Sequence, residues 1–287
     1  MKYSLSKKST GKSGIKDVFE FETPAPIKDF QYCGKFNFVF LSENSLGQIT
    51  LEGMVFYPWF EGFVEPSSIC YHPQEQNCLV VEDGGRTIST INLDVLVSVE
   101  ILKGVSVKKN LLHYFRNVPR DKDTKTSVVL AGNGTICWTT NCISRCFSYR
   151  QEMLEVLVGD GRAGYSLATN AAYCHLNQPE GLAVYNGALY ICDTGNSCIR
   201  RIKDGSISLV AGKPLVMGNQ DGVLGVNLFN APSKIRIVKK TAYILDKGIV
   251  RVLSFATKEV STITGVENAT EITIGPEGDV YFLKEIV

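Results

Sequence analysis

The stretch Leu176–Gly212 reads LNQPEGLAVYNGALYICDTGNSCIRRIKDGSISLVAG. Leu182-Ala183-Val184 is followed by Asn186-Gly187 and then by the apolar run Ala188 to Cys192. Asp193-Thr194-Gly195-Asn196 is a second turn, Cys198 to Ile202 a third strand, Asp204-Gly205 a third turn and Ile207 to Ala211 a fourth strand. Asn-Gly and Asp-Gly supply the positive φ that tight hairpin turns require. Four short apolar runs joined by three such turns therefore predict an antiparallel meander.

The unit recurs along the chain. Downstream, Leu228-Phe229-Asn230-Ala231-Pro232 opens a copy that runs through Thr241 to Leu245 and Ile249 to Val252 to Val260 to Gly265. The closing glycines Gly159, Gly212 and Gly265 fall 53 residues apart. Upstream copies are more worn. One runs from Ser127-Val128-Val129-Leu130 through Thr135 to Trp138, another from Pro66-Ser67-Ser68-Ile69 through Cys78 to Val81 to Gly104, and the first from Pro26-Ile27 through Phe36 to Leu41 to near Gly62. That makes five full units. Two strands remain at each end, Lys2 to Leu5 with Lys16 to Phe21, and Glu271 to Ile274 with Val280 to Leu283.

Repeated four-stranded sheets avoid open edges by forming a ring. The expectation is thus an all-β fold, a six-bladed β-propeller of four-stranded antiparallel blades. One domain spans 1–287, its closing blade shared between about 1–21 and 266–287. Each blade averages about 48 residues, within the range of propeller repeats.

Composition fits an ordinary folded chain, with 287 residues, 44% of them hydrophobic, and 30 Lys+Arg against 29 Asp+Glu. A net charge of +1 gives no global reason to expect nucleic acid or a membrane surface as partner. No apolar stretch follows the positive charges of the N-terminus, and no run approaches the ~18 apolar residues of a membrane helix. A cytoplasmic location is expected, and the nine cysteines then read as free thiols. The sequons at Asn133 and Asn268 carry no meaning there.

The unit Leu176-Asn177-Gln178-Pro179-Glu180-Gly181-Leu182-Ala183-Val184, with Leu189-Tyr190-Ile191-Cys192-Asp193-Thr194-Gly195-Asn196 and Ile199-Arg200-Arg201-Ile202, closely resembles the NHL repeat. Gly159-Asp160-Gly161 with Ala168 to Ala172, and Asp221-Gly222 before Leu228, look like the spacers that precede NHL blades. The later unit departs from the pattern at Asp246-Lys247-Gly248-Ile249, and the first three units carry little of it. The resemblance implies a propeller whose inter-blade loops share one face. It also implies that NHL propellers of the tripartite-motif type bind RNA or protein there, while amidating lyases and lactonase-like propellers hold metal in the central channel.

Several motifs invite chemistry. Gly159-Asp160-Gly161-Arg162-Ala163-Gly164 fits a dinucleotide fingerprint, with a possible short helix over 165–172, yet no βαβ alternation surrounds it and the repeat register reads it as a spacer. Cys137, Cys142 and Cys146 suggest zinc, but blade alignment sets Cys142 with Cys198 and Cys146 with Ile202, positions a small buried hydrophobe fills. His72, His113 and His175 lie in three different units. Glu180, Lys234 and Glu271 are candidate channel-lining residues. No catalytic residue, metal ligand, cofactor or nucleotide site is expected.

Residues 103–125 set Lys103, Lys108, Lys109, Arg116, Arg120, Lys122 and Lys125 around His113, Tyr114 and Phe115, a pattern that single-stranded RNA would need, but one that reads first as a solvated insertion tacked down by Leu111, Leu112 and Tyr114. The loop face should collect Arg86, Tyr114, Phe115, Arg116, Asn141, Arg162, Tyr165, Asn196 and Lys247. Mixed charge with scattered aromatics suits protein or peptide recognition. The leading expectation is a non-catalytic protein-interaction scaffold. RNA binding through the same face and a metal-dependent lyase, lactonase or hydrolase in the channel are the alternatives.

Overall fold

The structure is a computed structural model that describes residues 1–9, 14–72, 75–102, 125–131, 135–141, 144–150, 153–166, 168 and 170–286. Two strands open the chain, β1 (Lys2–Lys8) and β2 (Lys16–Glu22). Four-stranded meanders follow: β3 (Ile27–Tyr32), β4 (Phe38–Ser42), β5 (Ser45–Ile49), β6 (Val55–Glu61), then β7 (Ser68–His72), β8 (Asn77–Glu82), β9 (Thr87–Asn92), β10 (Val97–Leu102). The third meander is β11 (Thr126–Leu130), β12 (Ile136–Thr140), β13 (Arg145–Arg150), β14 (Met153–Val158), and the fourth is β15 (Pro179–Tyr185), β16 (Ala188–Asp193), β17 (Cys198–Lys203), β18 (Ser206–Ala211). A two-residue strand, β19 (Gly222–Val223), precedes β20 (Pro232–Val238), β21 (Thr241–Asp246), β22 (Ile249–Ser254) and β23 (Glu259–Thr262). The chain ends with β24 (Ala269–Ile274) and β25 (Val280–Ile286).

These strands make six small antiparallel sheets, the blades of a six-bladed all-β propeller. The two terminal pairs form one sheet in the order β2-β1-β25-β24, with β1 and β25 in register from Lys2 opposite Ile286 to Lys8 opposite Val280.

The chain divides into two compact units. The first holds the terminal sheet and the blades of β3–β6 and β7–β10. Its core is aromatic. Phe30 and Phe38 stack at 5.1 Å, Tyr281 meets Phe38 edge-on at 5.0 Å, and Tyr3 and Phe40 join the same cluster. Hydrogen bonds lock neighbouring blades of this unit: the Tyr32 N–H donates to Thr273 Oγ1 at 2.9 Å, and the Ile69 N–H to the buried Asp29 carboxylate at 2.9 Å.

The second unit holds the blades of β11–β14, β15–β18 and β20–β23. Leu182, Leu189, Ile191, Ile202, Cys137 and Cys146 pack between its first two blades, and Tyr190, Cys192, Ile199, Ile235, Ile244 and Leu253 between the second and third. Thr194 Oγ1 donates to the Pro232 carbonyl at 2.7 Å. Gly181 sits where a Cβ would meet the Ser233 carbonyl oxygen at 2.7 Å, so glycine lets consecutive first strands approach. Gly159 and Gly212 of the 53-residue rhythm have a similar origin, whereas Gly265 is set by its positive φ of +79° alone. Gly212 has φ +87°, and a Cβ there would lie 2.6 Å from the Ser197 carbonyl oxygen.

Three details differ from the sequence reading. Among the described residues of 165–172 there is no α-helix; a single 3-10 turn spans Ala171–Tyr173, where the Ala171 N–H donates to the Gly205 carbonyl on the outer hairpin of its blade. β19 adds a fifth strand to the sheet of β20–β23. Cys146 pairs with Thr139 as Ile199 pairs with Cys192, so it takes the place of Ile199 rather than Ile202, three residues out of the expected register.

Candidate interaction face

In the blade of β15–β18, Pro179, Asp193 and Cys198 share one end, and Tyr185, Ala188, Lys203 and Ser206 the other. The first end carries the Asp-Thr-Gly-Asn turn, and there the blade captures the spacer leading into it. Asp193 is fully buried at the end of β16. One carboxylate oxygen accepts the Asn177 N–H at 2.7 Å; the other accepts the Asn196 side-chain amide at 2.8 Å and lies 3.5 Å from Arg200 Nη1. Arg200, also buried, donates to the His175 carbonyl at 3.1 Å and the Ser166 carbonyl at 2.8 Å, and its guanidinium covers the Tyr165 ring at 4.6 Å. Burial pushes the Asp193 carboxyl up to about 6, against the opposing pull of the Asn177 N–H, Asn196 and Arg200. A buried pair of this kind adds little net stability over an apolar one, but it holds a loop in a single arrangement because Nη1 and Nη2 each reach one spacer carbonyl.

The next blade repeats the device. The Asp246 carboxylate accepts the N–H groups of Asn230 (3.0 Å) and Ala231 (2.7 Å) and faces Arg251 Nη1 at 3.3 Å. Arg251 reaches the carbonyls of Leu228 (2.8 Å) and Gln220 (2.9 Å) and the Asp221 carboxylate (2.9 Å), and it covers the Phe229 ring at 5.1 Å. In the first unit, Glu82 does the same work at the end of β8. It accepts the Val64 N–H at 2.7 Å and the Ser89 hydroxyl at 2.5 Å, with Ser89 at the position Arg200 holds in β17.

Asn196 joins the two spacers of the second unit. Its side-chain amide donates to the Gly164 carbonyl at 2.7 Å, and its backbone carbonyl accepts the Leu215 N–H at 3.0 Å. Two spacers thereby flank one turn, and the surface around it carries Arg162, with its side chain 80% exposed, Leu215 at 68% and Met217 at 71%, with Val216 and Lys213 exposed beside them.

The expected face residues divide. Arg162 and Lys247 are exposed. Tyr165 is half-buried beneath Arg200, and Asn196 is completely buried, so both shape the face from inside. Asn141 is half-buried, its side-chain oxygen accepting the Lys125 N–H at 3.1 Å. Arg86 lies in the first unit, half-buried, and donates to the Asp83 carbonyl at 3.0 Å. Tyr114, Phe115 and Arg116 lie outside the described residues, as does nearly all of the basic segment; its last member, Lys125, is exposed and pairs with Glu180 at 3.3 Å. Among the candidate lining residues, Glu180 and Lys234 are half-buried in the second unit and Glu271 is buried in the first. Leu215, Val216 and Met217 were not anticipated, although the sequence carries a sign of them: an apolar run that follows Gly212-Lys213-Pro214 before the next blade begins.

The cysteines among the described residues are free and buried, and burial raises the Cys137 and Cys174 thiols to about 11 and Cys146 and Cys192 well above their ordinary value. Thiols so raised stay protonated, as a core hydrophobe does. Cys142 lies outside the described residues. Among the described residues, no three His, Cys, Asp or Glu side chains gather to hold a metal, and no helix is long and apolar enough to cross a membrane.

Repeated four-stranded blades, three of them fastening a spacer through a carboxylate at the end of the second strand (Glu82, Asp193, Asp246), and the Asp-Thr-Gly-Asn turn make this a β-propeller with an NHL repeat. Residues 176–202 match the NHL repeat family. No curated protein matches the chain. Among solved structures, the chain resembles an auxiliary nutrient binding protein from Bacteroides ovatus at 15% identity and a TM-score of 0.63, covering 94% of this chain and 62% of that one. It also resembles virginiamycin B lyase from Staphylococcus aureus (15%, TM-score 0.57, 95% and 85% covered) and a chain of a nidogen–laminin complex (15%, TM-score 0.58, 91% and 93% covered). The chain thus spans about 62% of the length of the nutrient binding protein. At these identities the likeness is one of fold.

Proposed function

We propose that this propeller is a non-catalytic scaffold that binds a protein or peptide partner through the spacer-bearing end of its second unit. The observation that carries the reading is the exposed apolar run Leu215-Val216-Met217 and the exposed Arg162, in two spacers that both bond to Asn196 of a turn supported by the buried Asp193 and Arg200. Large apolar side chains grouped at a surface lose solvent-exposed area when a partner covers them, and a pre-ordered support reduces the entropy lost on binding. Lys213 adds a positive charge to this surface beside the Arg162–Asp160 ion pair (3.8 Å), which suits an apolar segment carrying a carboxylate. A propeller of similar fold in a nidogen–laminin complex is consistent with this use of the architecture.

The test is quantitative cross-linking capture from the source cells, comparing the wild-type protein with the triple variant Arg162→Ala, Leu215→Ser, Met217→Ser. All three side chains are exposed, so the thermal melt should be unchanged. Loss of the specifically captured protein at least about tenfold supports the reading. Undiminished capture, or recovery of RNA in place of protein, refutes it.

A further inference from the structure

A second feature of the same unit lies towards the opposite end of the blades, where the β15–β16 turn and the β22–β23 turn face the outer strands. There the blades of β15–β18 and β20–β23 part to leave a cleft of about 380 Å³. Aromatic rings form much of its wall: Tyr185 and Phe255 stack at 5.6 Å with planes 9° apart, and Tyr190 meets Phe255 at 5.3 Å. Leu209, Val210, Leu224 and Leu253 complete the apolar lining. The spacer closes one side, with the Leu224 N–H donating to the Lys258 carbonyl at 3.0 Å.

The charge of this cleft is one-sided. Arg201 and Lys258 both line it and both are exposed, and no carboxylate shares the lining. Neither makes an ion pair with any described residue, in contrast to the neighbouring Arg200 and Arg251, which are buried and paired with Asp193, Asp221 and Asp246. Two cations beside an apolar, ring-lined space of ligand size set a definite chemical complement: a flat apolar body carrying one negative group. A volume near 380 Å³ suits a small molecule and is too little for a folded segment.

We infer that the cleft between these two blades is a binding site for a small aromatic anion, with the ring against Tyr185, Tyr190 and Phe255 and the carboxylate between Arg201 and Lys258. The site is separate from the spacer-bearing end and does not depend on the scaffold reading.

The test uses 1-naphthaleneacetate and its neutral carboxamide as probes, followed through the methyl NMR signals of the intact protein. The acid should give saturable shifts concentrated on the methyls of Leu209, Val210, Leu224 and Leu253, and the carboxamide should bind about tenfold more weakly. In the variant Arg201→Gln with Lys258→Gln, both changes at exposed positions, acid and amide should bind alike. Phe255→Ala should weaken both probes together. Equal binding of acid and amide to the wild type, shifts centred on other methyls, or no saturation by ~5 mM acid would each overturn the assignment.

Discussion

Asp193 shows how one buried side chain governs both the fold and its response to pH. Its folded carboxyl is pushed up to about 6 from an ordinary value of 3.8, so between these pH values the folded protein holds a proton that the unfolded chain has released. The group's contribution to stability is therefore largest below about pH 4 and falls as pH rises to about 6, where it levels off. Denaturant titrations of wild type and Asp193→Asn should show a wild-type advantage that shrinks from pH 4 to pH 7; an advantage that grows over that window would show the carboxyl to be depressed instead. At this scale the sequence was half legible. The turn Asp193 to Asn196 stood out as a surface feature, but Asn196 and Tyr165 are internal. Polar residues in a turn look alike from sequence whether they face water or a carbonyl. What separates them is burial: Arg200, next to the exposed Arg201 in β17, is buried and finds its acceptor in Asp193.

At the scale of elements, strand alternation and Gly-containing turns made every blade visible, because a sheet buried on both faces imposes short apolar runs. The worn blades lost their signature while keeping its physics. Glu82 with Ser89 replaces an Asp–Arg pair yet still receives the spacer N–H, and no motif of residue types would link the two. β19 was missed because two residues carry no periodicity; tertiary bonds alone make it a strand. They are its backbone pairs, Gly222 with Val260 and Val223 with Glu259, and the preceding Asp221 anchors them by accepting the Thr262 N–H at 3.0 Å, the Thr262 hydroxyl at 2.8 Å and Arg251 at 2.9 Å. In Asp221→Ala, hydrogen exchange at Gly222 and Val223 should accelerate at least about tenfold while β21 and β22 keep their protection. Unchanged exchange there would mean that the β19–β23 pairing needs no support from the side chain.

At the scale of the whole molecule, the sequence expectation of one domain becomes a prediction about cooperativity. The terminal sheet depends on strands from both ends of the chain, with β25 hydrogen-bonded to β1 on one side and β24 on the other. Scanning calorimetry should give a single transition whose calorimetric and van't Hoff enthalpies agree. Two resolved transitions would instead show the two compact units melting as separate domains.

The functional proposal also belongs to this scale, since a scaffold acts through a surface that many residues hold in place. Hydrogen–deuterium exchange of the protein with and without its captured partner tests it most directly. The account predicts new protection in the spacers at 159–166 and 212–221 and in the turn at 193–197, with the opposite end of the same blades unchanged. Protection confined to the β15–β16 and β22–β23 turns, with the spacers exchanging as in the free protein, would contradict it.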